Sequence, residues 1–314
     1  MKAVQILGDA SSPKIAIKNS IAKPNPTNAN ILIHVHAAGI TGDEVTWPEV
    51  YQTPTRVPGH DISGTIASFG PDYDGPLTIG QYIFAMIAAD RGEGQAEYVV
   101  CKPDEVAPKP ISLSHTEAAV LPIPALTAWE AITEHSTVTS EMRVLVTGAS
   151  GSVGRLYVQL VKHLTGAHVI ALASRRNHDL LKTLGANEVI DYTSFDWERS
   201  VKNVDLVFDT VGGEVLSKTW GTVKPDGSII TVGDPAPAWA FTDEKASESL
   251  RYPGVKYKHF ILSPNAKRLA QVGSMVDEGL LKPLVVKTFP FEQGVEAWDH
   301  ARQRGRDYKV VIEF

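Results

Sequence analysis

A single cysteine, Cys101, is all the thiol chemistry in this 314-residue chain, so no internal disulfide can staple it and a four-cysteine metal lobe is impossible. No apolar run approaches the ~18 residues of a membrane-spanning helix. There is no tract of clustered lysine and arginine either; with a formal net charge of −6, neither nucleic acid nor an anionic membrane is expected as a partner. Met1-Lys2-Ala3-Val4-Gln5-Ile6-Leu7 enters a strand-like run at once, without the charged and apolar layout of a signal peptide. These absences give the expectation of a soluble, cytoplasmic protein acting on a small molecule.

Two enzyme signatures are also missing. Gly148-Ala149-Ser150-Gly151-Ser152 fails the Gly-x-Ser-x-Gly elbow of serine hydrolases at its last position. Tyr252-Pro253-Gly254-Val255-Lys256 has the Tyr-x-x-x-Lys spacing of short-chain dehydrogenases, but Pro253 and Gly254 would break the helix that brings those side chains together.

What is present is enough apolar content, 43%, for two cores. Residues 1–110 read as β-rich, with runs at Ala3–Ile6, Ile15–Ile17, Ile31–Ala37, Ile62–Phe69, Gln81–Ile87 and Gln95–Cys101 between Pro, Gly, Asn and Asp turns, which suits a partly closed antiparallel barrel. Ser114 with Glu117 three residues on is a capping box opening a helix, and a second helix is expected over Ala125–His135. From Val144 the pattern alternates. Strands at Val144–Thr147, His168–Ala173, Val189–Ile190, Asp205–Asp209 and Ser228–Val232 are interleaved with helical segments, which is a doubly wound parallel sheet. Residues 234–258 read as a long surface excursion, followed by a strand at Phe260–Leu262, a helix at Pro264–Glu278, a strand at Leu284–Thr288, a helix at Phe291–Arg304 and a closing strand at Lys309–Phe314.

The most informative stretch is Val144-Leu145-Val146-Thr147-Gly148-Ala149-Ser150-Gly151-Ser152-Val153-Gly154, an apolar strand flowing through a glycine turn into a helix. Gly151 and Gly154 keep the spacing of a dinucleotide fingerprint, so N–H groups at the helix start can receive a pyrophosphate. The next strand ends at Ser174-Arg175-Arg176, twenty residues after Gly154, where an acid would accept from the ribose 2′-hydroxyl of NAD. A serine and two arginines offer only donors and positive charge, which suit the 2′-phosphate of NADPH. The alternative is that the arginines merely solvate a loop.

Ala37-Ala38-Gly39-Ile40, Val57-Pro58-Gly59-His60-Asp61-Ile62-Ser63-Gly64, Ala96-Glu97-Tyr98-Val99, Ala118-Ala119-Val120-Leu121-Pro122, Leu126-Thr127-Ala128-Trp129, the glycine turn, Leu184–Tyr192 and Asp205–Gly213 occur in the order that resembles the medium-chain dehydrogenase/reductase superfamily, in its zinc-free quinone oxidoreductase-like (enoyl reductase-like) branch. The resemblance implies a Rossmann domain, residues 119–262, inserted into a β-rich GroES-like catalytic domain made of residues 1–118 and 263–314, with the nicotinamide in the cleft between them. It places Ser150, Gly151, Ser152, Val153 and Gly154 at the pyrophosphate, Ser174 and Arg175 at the 2′-phosphate, and Tyr192 near the adenine ribose. Val211, Val232 and Gly233 would line the strand ends, with Ile261 and Leu262 near the domain return and Thr41 and Thr127 near the nicotinamide. For Val211 and Val232 strand packing is the competing role, and for Tyr192 the capping of a strand end. A homodimer is also implied.

Zinc-dependent relatives use a cysteine after the Ala-Gly-Ile segment, a Gly-His-Glu, and a third ligand before the Leu-Thr-Ala segment; the corresponding places here hold Thr41, Gly59-His60-Asp61 and Ile123 or its neighbours. Thr41 and Ile123 are poor zinc ligands, so no metal is expected and His60 reads as a hydrogen-bonding residue. Many zinc-free relatives have Asn-Pro-x-Asp and then a tyrosine where this chain has Thr41-Gly42-Asp43-Glu44-Val45-Thr46-Trp47-Pro48. Trp47 and Tyr51 are either a substrate wall with a phenolic donor or ordinary packing, and Thr46 and Tyr51 are the candidate donors to a developing enolate. Without a metal to polarise a carbonyl, a conjugated acceptor suits hydride transfer best, either a quinone or an α,β-unsaturated carbonyl. A second reading is an NADPH-binding protein with a non-redox tailoring role, or a sensing or structural one.

Overall fold

Alternating apolar residues in the first third of the chain become strands β1 (Ala3–Leu7), β2 (Lys14–Lys18), β3 (Ile31–Ile40), β4 (Asp61–Phe69), β5 (Tyr82–Met86), β6 (Tyr98–Cys101) and β7 (Val106–Pro108) in a computed structural model that describes residues 1–193 and 196–314. Helices α1 (His115–Ala118) and α2 (Pro122–Thr133) follow. The alternating region comprises β8 (Arg143–Val146), α3 (Ser152–Leu164), β9 (His168–Leu172), α4 (His178–Leu184), β10 (Glu188–Ile190), α5 (Trp197–Ser200), β11 (Val204–Asp209), α6 (Gly213–Thr219), β12 (Val223–Thr231) and β13 (Lys256–His259). The chain ends with α7 (Ala266–Asp277), β14 (Val286–Pro290), α8 (Gly294–Arg302) and β15 (Lys309–Glu313). No helix among the described residues is long and apolar enough to cross a membrane.

Packing divides the chain into two units, Met1–Leu126 with Ser263–Phe314, and Thr127–Leu262. The first has a seven-stranded sheet in the order β14-β15-β3-β4-β5-β7, with β6 also paired to β3, and a separate β1-β2 ribbon. Its sheet is partly closed: β3, the long central strand, pairs with β15, β4 and β6. Register shifts in the β3–β4 pair mark bulges, which let a strand bend. Ile33, Val35, Ile62, Ile66, Ile83 and Val99 fill one core, and Trp298, Phe289 and Phe291 from the C-terminal segment fill another with Val4, Ile6 and Ile40. Buried Gln95 ties that second core together, accepting from the Trp298 indole at 2.9 Å.

The second unit is a six-stranded parallel sheet in the order β10-β9-β8-β11-β12-β13, a Rossmann arrangement. The chain starts in the middle, steps outward through β9 and β10, then returns to β11 and steps the other way. Right-handed crossovers therefore place the helices of the two halves on opposite faces. Its core is Leu145, Ile170, Leu172, Val207 and Ile229 on the strands with Trp197, Leu216 and Trp220 from the connections.

Several elements differ from the sequence reading. Helix α2 begins at Pro122 rather than after Pro124, because proline is tolerated in the first turn, where its missing N–H has no partner anyway. The edge strand is Lys256–His259 rather than Phe260–Leu262; its exposed lysines disguise it, while Tyr257 packs on Trp220 and Trp239. Residues 234–255 include two 3-10 turns, Ala238–Phe241 and Ser247–Leu250, anchored by buried Ala246, whose N–H donates to the Tyr257 hydroxyl.

A stack of imidazoles lies on one face of the first unit's sheet. His34 and His36, two apart on β3, share that face, and His36 stacks on His115 with centroids 4.4 Å apart and planes 10° from parallel. The Ser63 hydroxyl donates to the Ile83 carbonyl at 2.7 Å, so the 2.7 Å contact with His115 must be an Nδ1–H donating to Ser63 Oγ. Burial, then His36 and Lys109, push His115 down to about 4, and burial with His34 lowers His36. A histidine held below its ordinary value takes up its proton more readily unfolded than folded. It therefore supports the fold above pH 6.5 and loses that contribution as the pH falls toward 4. The melting temperature is expected to fall between pH 6.5 and 4.5, with a shallower slope in His115→Phe; equal slopes by calorimetry would refute the assignment.

Candidate functional site

The turn between β8 and α3 is shaped by two glycines for different reasons. Gly148 has φ +58, and a Cβ there would lie 2.3 Å from Thr210 Oγ1. A Cβ on Gly154, in the first turn of α3, would meet the Gly148 carbonyl at 2.5 Å and Ala149 Cα at 2.6 Å. Helix α3 approaches the turn this closely only because Gly154 has no side chain, and the turn lies against the end of β11 only because Gly148 has none. Gly151 caps the helix with extended backbone and is exposed; the Gly148 carbonyl accepts its N–H at 2.9 Å. The first-turn N–H groups that follow have no intrahelical acceptor, which makes the turn an anion receptor. Ser150, Ser152 and Val153 are partly exposed around it, while the Arg155 side chain turns back and its Nε donates to the Ser150 carbonyl at 2.7 Å.

The carboxyl ends of the strands are held by a fully buried carboxylate, Asp209. It accepts from the Thr147 hydroxyl at the end of β8, from the Thr231 hydroxyl of β12 at 2.6 Å, and from the N–H groups of Gly212 at 3.0 Å and Val211 at 3.3 Å. Thr147 also accepts from Thr210 N and Thr231 from Gly233 N. Three strand ends thus share one acceptor, with Val211 beside Gly148 of the glycine turn and Gly233 beside Gly212; the strand order reverses between β8 and β11, the usual ligand crevice of such sheets. The sequence reading saw Asp209 only as the end of a strand; the threonines at the ends of β8 and β12 were its available signal.

Ser174, Arg175 and Arg176 follow β9, in and just before a 3-10 turn, Arg175–Asn177, and both arginines are exposed. Ser174 Oγ accepts from Asn177 Nδ2 at 3.2 Å. Tyr192 is 53% exposed, Val211 40% and Ile261 53%, so these apolar faces are open, whereas Thr127 is buried in α2 and Leu262 is partly buried.

In the other unit, the loop from Thr41 to Tyr51 forms two 3-10 turns, Glu44–Thr46 and Pro48–Tyr51. The two candidate proton donors spend their hydrogens inside it: Thr46 Oγ1 donates to the Asp43 carbonyl at 2.7 Å and the Tyr51 hydroxyl to the Val45 carbonyl at 2.6 Å. Trp47 lies against the His60 ring, centroids 5.4 Å apart. Thr41 is partly exposed and its carbonyl accepts from Glu44 N.

Two family descriptions match the chain, an alcohol dehydrogenase GroES-like domain over residues 27–111 and a zinc-binding dehydrogenase over residues 184–312. A probable zinc-binding oxidoreductase, mitochondrial, of Arthroderma benhamiae is 32% identical, the match covering 92% of this chain and 90% of that protein. The zebrafish (Danio rerio) NAD(P)H oxidoreductase RTN4IP1, mitochondrial, is also 32% identical over 90% of this chain and 83% of its own length. The solved quinone oxidoreductase of Coxiella burnetii superposes with a TM-score of 0.87 at 27% identity, covering 100% of this chain and 99% of that one. The chain belongs to the medium-chain dehydrogenase/reductase superfamily.

Within it the chain falls in the quinone oxidoreductase-like branch, and it is an oxidoreductase with a nicotinamide cofactor. The glycine turn fits that cofactor, since its open backbone offers N–H groups where a side chain would block them. Zinc is another matter, because the donor set does not suit it. By the resemblance, Thr41 and Ile123 or its neighbours fall at two of the ligand places of zinc-dependent members, and the Ile123 N–H is given to Asp61 Oδ1 at 2.8 Å. His60 Nδ1 faces the Ile87 carbonyl at 3.0 Å and Nε2 faces a carboxylate. Among the described residues no group of three or more His, Cys, Asp or Glu is placed to hold a metal ion.

Asp209 supplies the test of this site's architecture. Asp209→Ala would leave two threonine hydroxyls and two N–H groups in a buried place without an acceptor, a loss of roughly 3–5 kcal/mol at about 1–3 kcal/mol per group with partial relaxation. Chemical denaturation that shows a loss under about 1 kcal/mol would mean that the strand ends are held by other interactions.

Proposed function

We propose that the protein is an NADPH-dependent, zinc-independent oxidoreductase that transfers a hydride to a conjugated acceptor, a quinone or an α,β-unsaturated carbonyl. The observation that carries the cofactor choice is the donor set after β9, where Ser174 and two exposed arginines stand in place of a ribose-binding acid. A guanidinium beside a phosphate offers charge and a planar pair of donors; beside a bare 2′-hydroxyl it offers neither advantage.

On this reading the N–H groups of Ser150, Gly151, Ser152, Val153 and Gly154 take the pyrophosphate, Ser174 and Arg175 the 2′-phosphate, and Tyr192 packs beside the adenine ribose. Val211, Val232 and Gly233 line the path, with Thr41 and Thr127 near the nicotinamide and Ile261 and Leu262 near the domain return. When bound, the cofactor supplies the hydride; the chain supplies position, polarity and exclusion of water. A conjugated substrate suits a donor set poorly matched to zinc, since a quinone or enone spreads the arriving charge over its own π-system. The quinone half of the proposal is supported by the name of the Coxiella burnetii protein. Since Thr46 and Tyr51 have given their hydrogens to backbone carbonyls, we assign the final protonation to solvent water.

The test is steady-state oxidation of NADPH and NADH against a panel of quinones and enones. NADPH should be oxidised with at least one acceptor, and Arg175→Ala should raise its KM by about 10- to 100-fold while leaving that of NADH little changed. Tight NADPH binding with no oxidation by any acceptor would sink the reductase reading; equal use of NADH, unaffected by Arg175→Ala, would sink the phosphate assignment.

A further inference from the structure

Of the arginines in Ala301-Arg302-Gln303-Arg304-Gly305-Arg306, Arg302 and Arg304 are exposed and Arg306 is turned inward, partly buried. Its guanidinium meets a different carbonyl with each nitrogen: Nη2 donates to Ala301 at 2.5 Å, Nε to Gln303 at 2.6 Å and Nη1 to Tyr308 at 3.4 Å. Ala301 lies in the last turn of α8, where carbonyls have no intrahelical donor and a cation is favoured. One side chain thus fastens the end of α8 to the turn that leads into β15.

The same helix end is the seat of the loop from Thr41 to Tyr51. A Cβ on Gly42 would press into the Ala301 carbonyl, 2.8 Å from its carbon and 3.3 Å from Arg302 N, so the loop backbone rests directly on α8. Packing holds the rest of the loop to that helix. Val45 and Val50 are buried in one core with Ala297, Trp298 and Ala301, and Trp47 and Tyr51 pack against it. The loop's N–H groups close mainly on itself, Glu44 on Thr41, Thr46 on Asp43, Trp47 on Glu44 and Gln52 on Glu49, while Glu44 Oε1 ties it to the chain before β4 by accepting from Gly59 N at 2.6 Å. A unit closed on itself takes its place from what it leans on, and on one side that is the Ala301 carbonyl.

We propose that Arg306 is a positioning residue for the acceptor: by fixing the carbonyl on which Gly42 rests, it sets where Trp47 stands as a wall of the acceptor site, and with it which conjugated acceptors are reduced. The proposal rests on the reductase reading with Trp47 beside the acceptor. Arg306 acts only through the helix end and the backbone of Gly42. Its planar fork is what the arrangement needs, since donors in fixed directions reach carbonyls that an ammonium would have to choose between. Gly42 is the matching requirement in the loop, because any side chain there would lift the loop from its seat.

The full chain is compared with its Arg306→Gln, Arg306→Lys and Gly42→Ala variants and with the double variant Arg306→Gln with Gly42→Ala. Hydrogen exchange read by mass spectrometry follows the amides of residues 44–52 without any turnover, and steady-state kinetics gives KM and kcat for NADPH and for the best quinone or enone of the panel. Arg306→Gln should speed exchange over residues 44–52 by roughly 10-fold or more, with β8 and α3 unchanged. It should raise the acceptor KM roughly 5- to 20-fold while that of NADPH stays within about 2-fold. Arg306→Lys should fall between Arg306→Gln and the wild type, and Gly42→Ala should give both changes. The double variant should show less than the product of the single effects, because both substitutions free one loop from one seat. Unchanged exchange over residues 44–52 in Arg306→Gln and Gly42→Ala would overturn the proposal. So would an NADPH KM that rises with that of the acceptor, or a lowered melting temperature with the acceptor KM intact, since either makes Arg306 a stabilising residue alone. If the wild type reduces no acceptor the reductase reading fails, and the exchange measurement still decides whether Arg306 holds the loop. Should Arg306→Gln not fold, Arg306→Lys carries the same comparison.

Discussion

The buried carboxylate of Asp209 is the constraint on which the nucleotide-binding unit depends. Strand pairing alone aligns β8, β11 and β12, but their carboxyl ends run out of ladder partners where the ligand crevice begins. One side chain accepting from Thr147, Thr231 and two backbone N–H groups finishes the job. It lets the strands end together without orphaned polar groups, so the following turns start from fixed points. The close passage of Gly154 over Gly148, and of Gly212 past Gly233, is possible only between turns held this way.

The two units use their polar groups in opposite manners. In the nucleotide-binding unit the turn after β8 leaves first-turn N–H groups without intrahelical acceptors, and the arginines after β9 are exposed. The other unit turns its polar groups inward. Thr46 and Tyr51 donate to their own loop, His60 bridges a carbonyl and a carboxylate, and Glu44 and Asp61 hold backbone N–H groups. Such a loop is braced by its own hydrogen bonds.

Much of this was legible in the residues because the signals are local. The Ser114–Glu117 capping box forms as its spacing implies, with reciprocal bonds between the two side chains and backbones. The strand-turn-helix at Val144–Leu164 reads correctly because an apolar strand, a glycine turn and an amphipathic helix each carry their own pattern. The edge strand Lys256–His259 was missed because an edge has one solvated side, so lysines alternate with the residues that pack. The hydroxyls of Thr46 and Tyr51 look like available donors in a sequence, since nothing there says which carbonyl each will meet.

By itself the sequence determined the elements, the doubly wound order and the chemical character of the cofactor turn. Periodicity, glycine spacing and the serine and arginines after β9 are properties of neighbouring residues. Only the tertiary structure decided which groups lie together across long separations: Asp209 with Thr147 and Thr231, His115 with His36, and Trp298 with Gln95. The reason is that burial and charge compensation belong to a place in space. A carboxylate acquires its partners, and a histidine its proton, only when strands remote in sequence close around it.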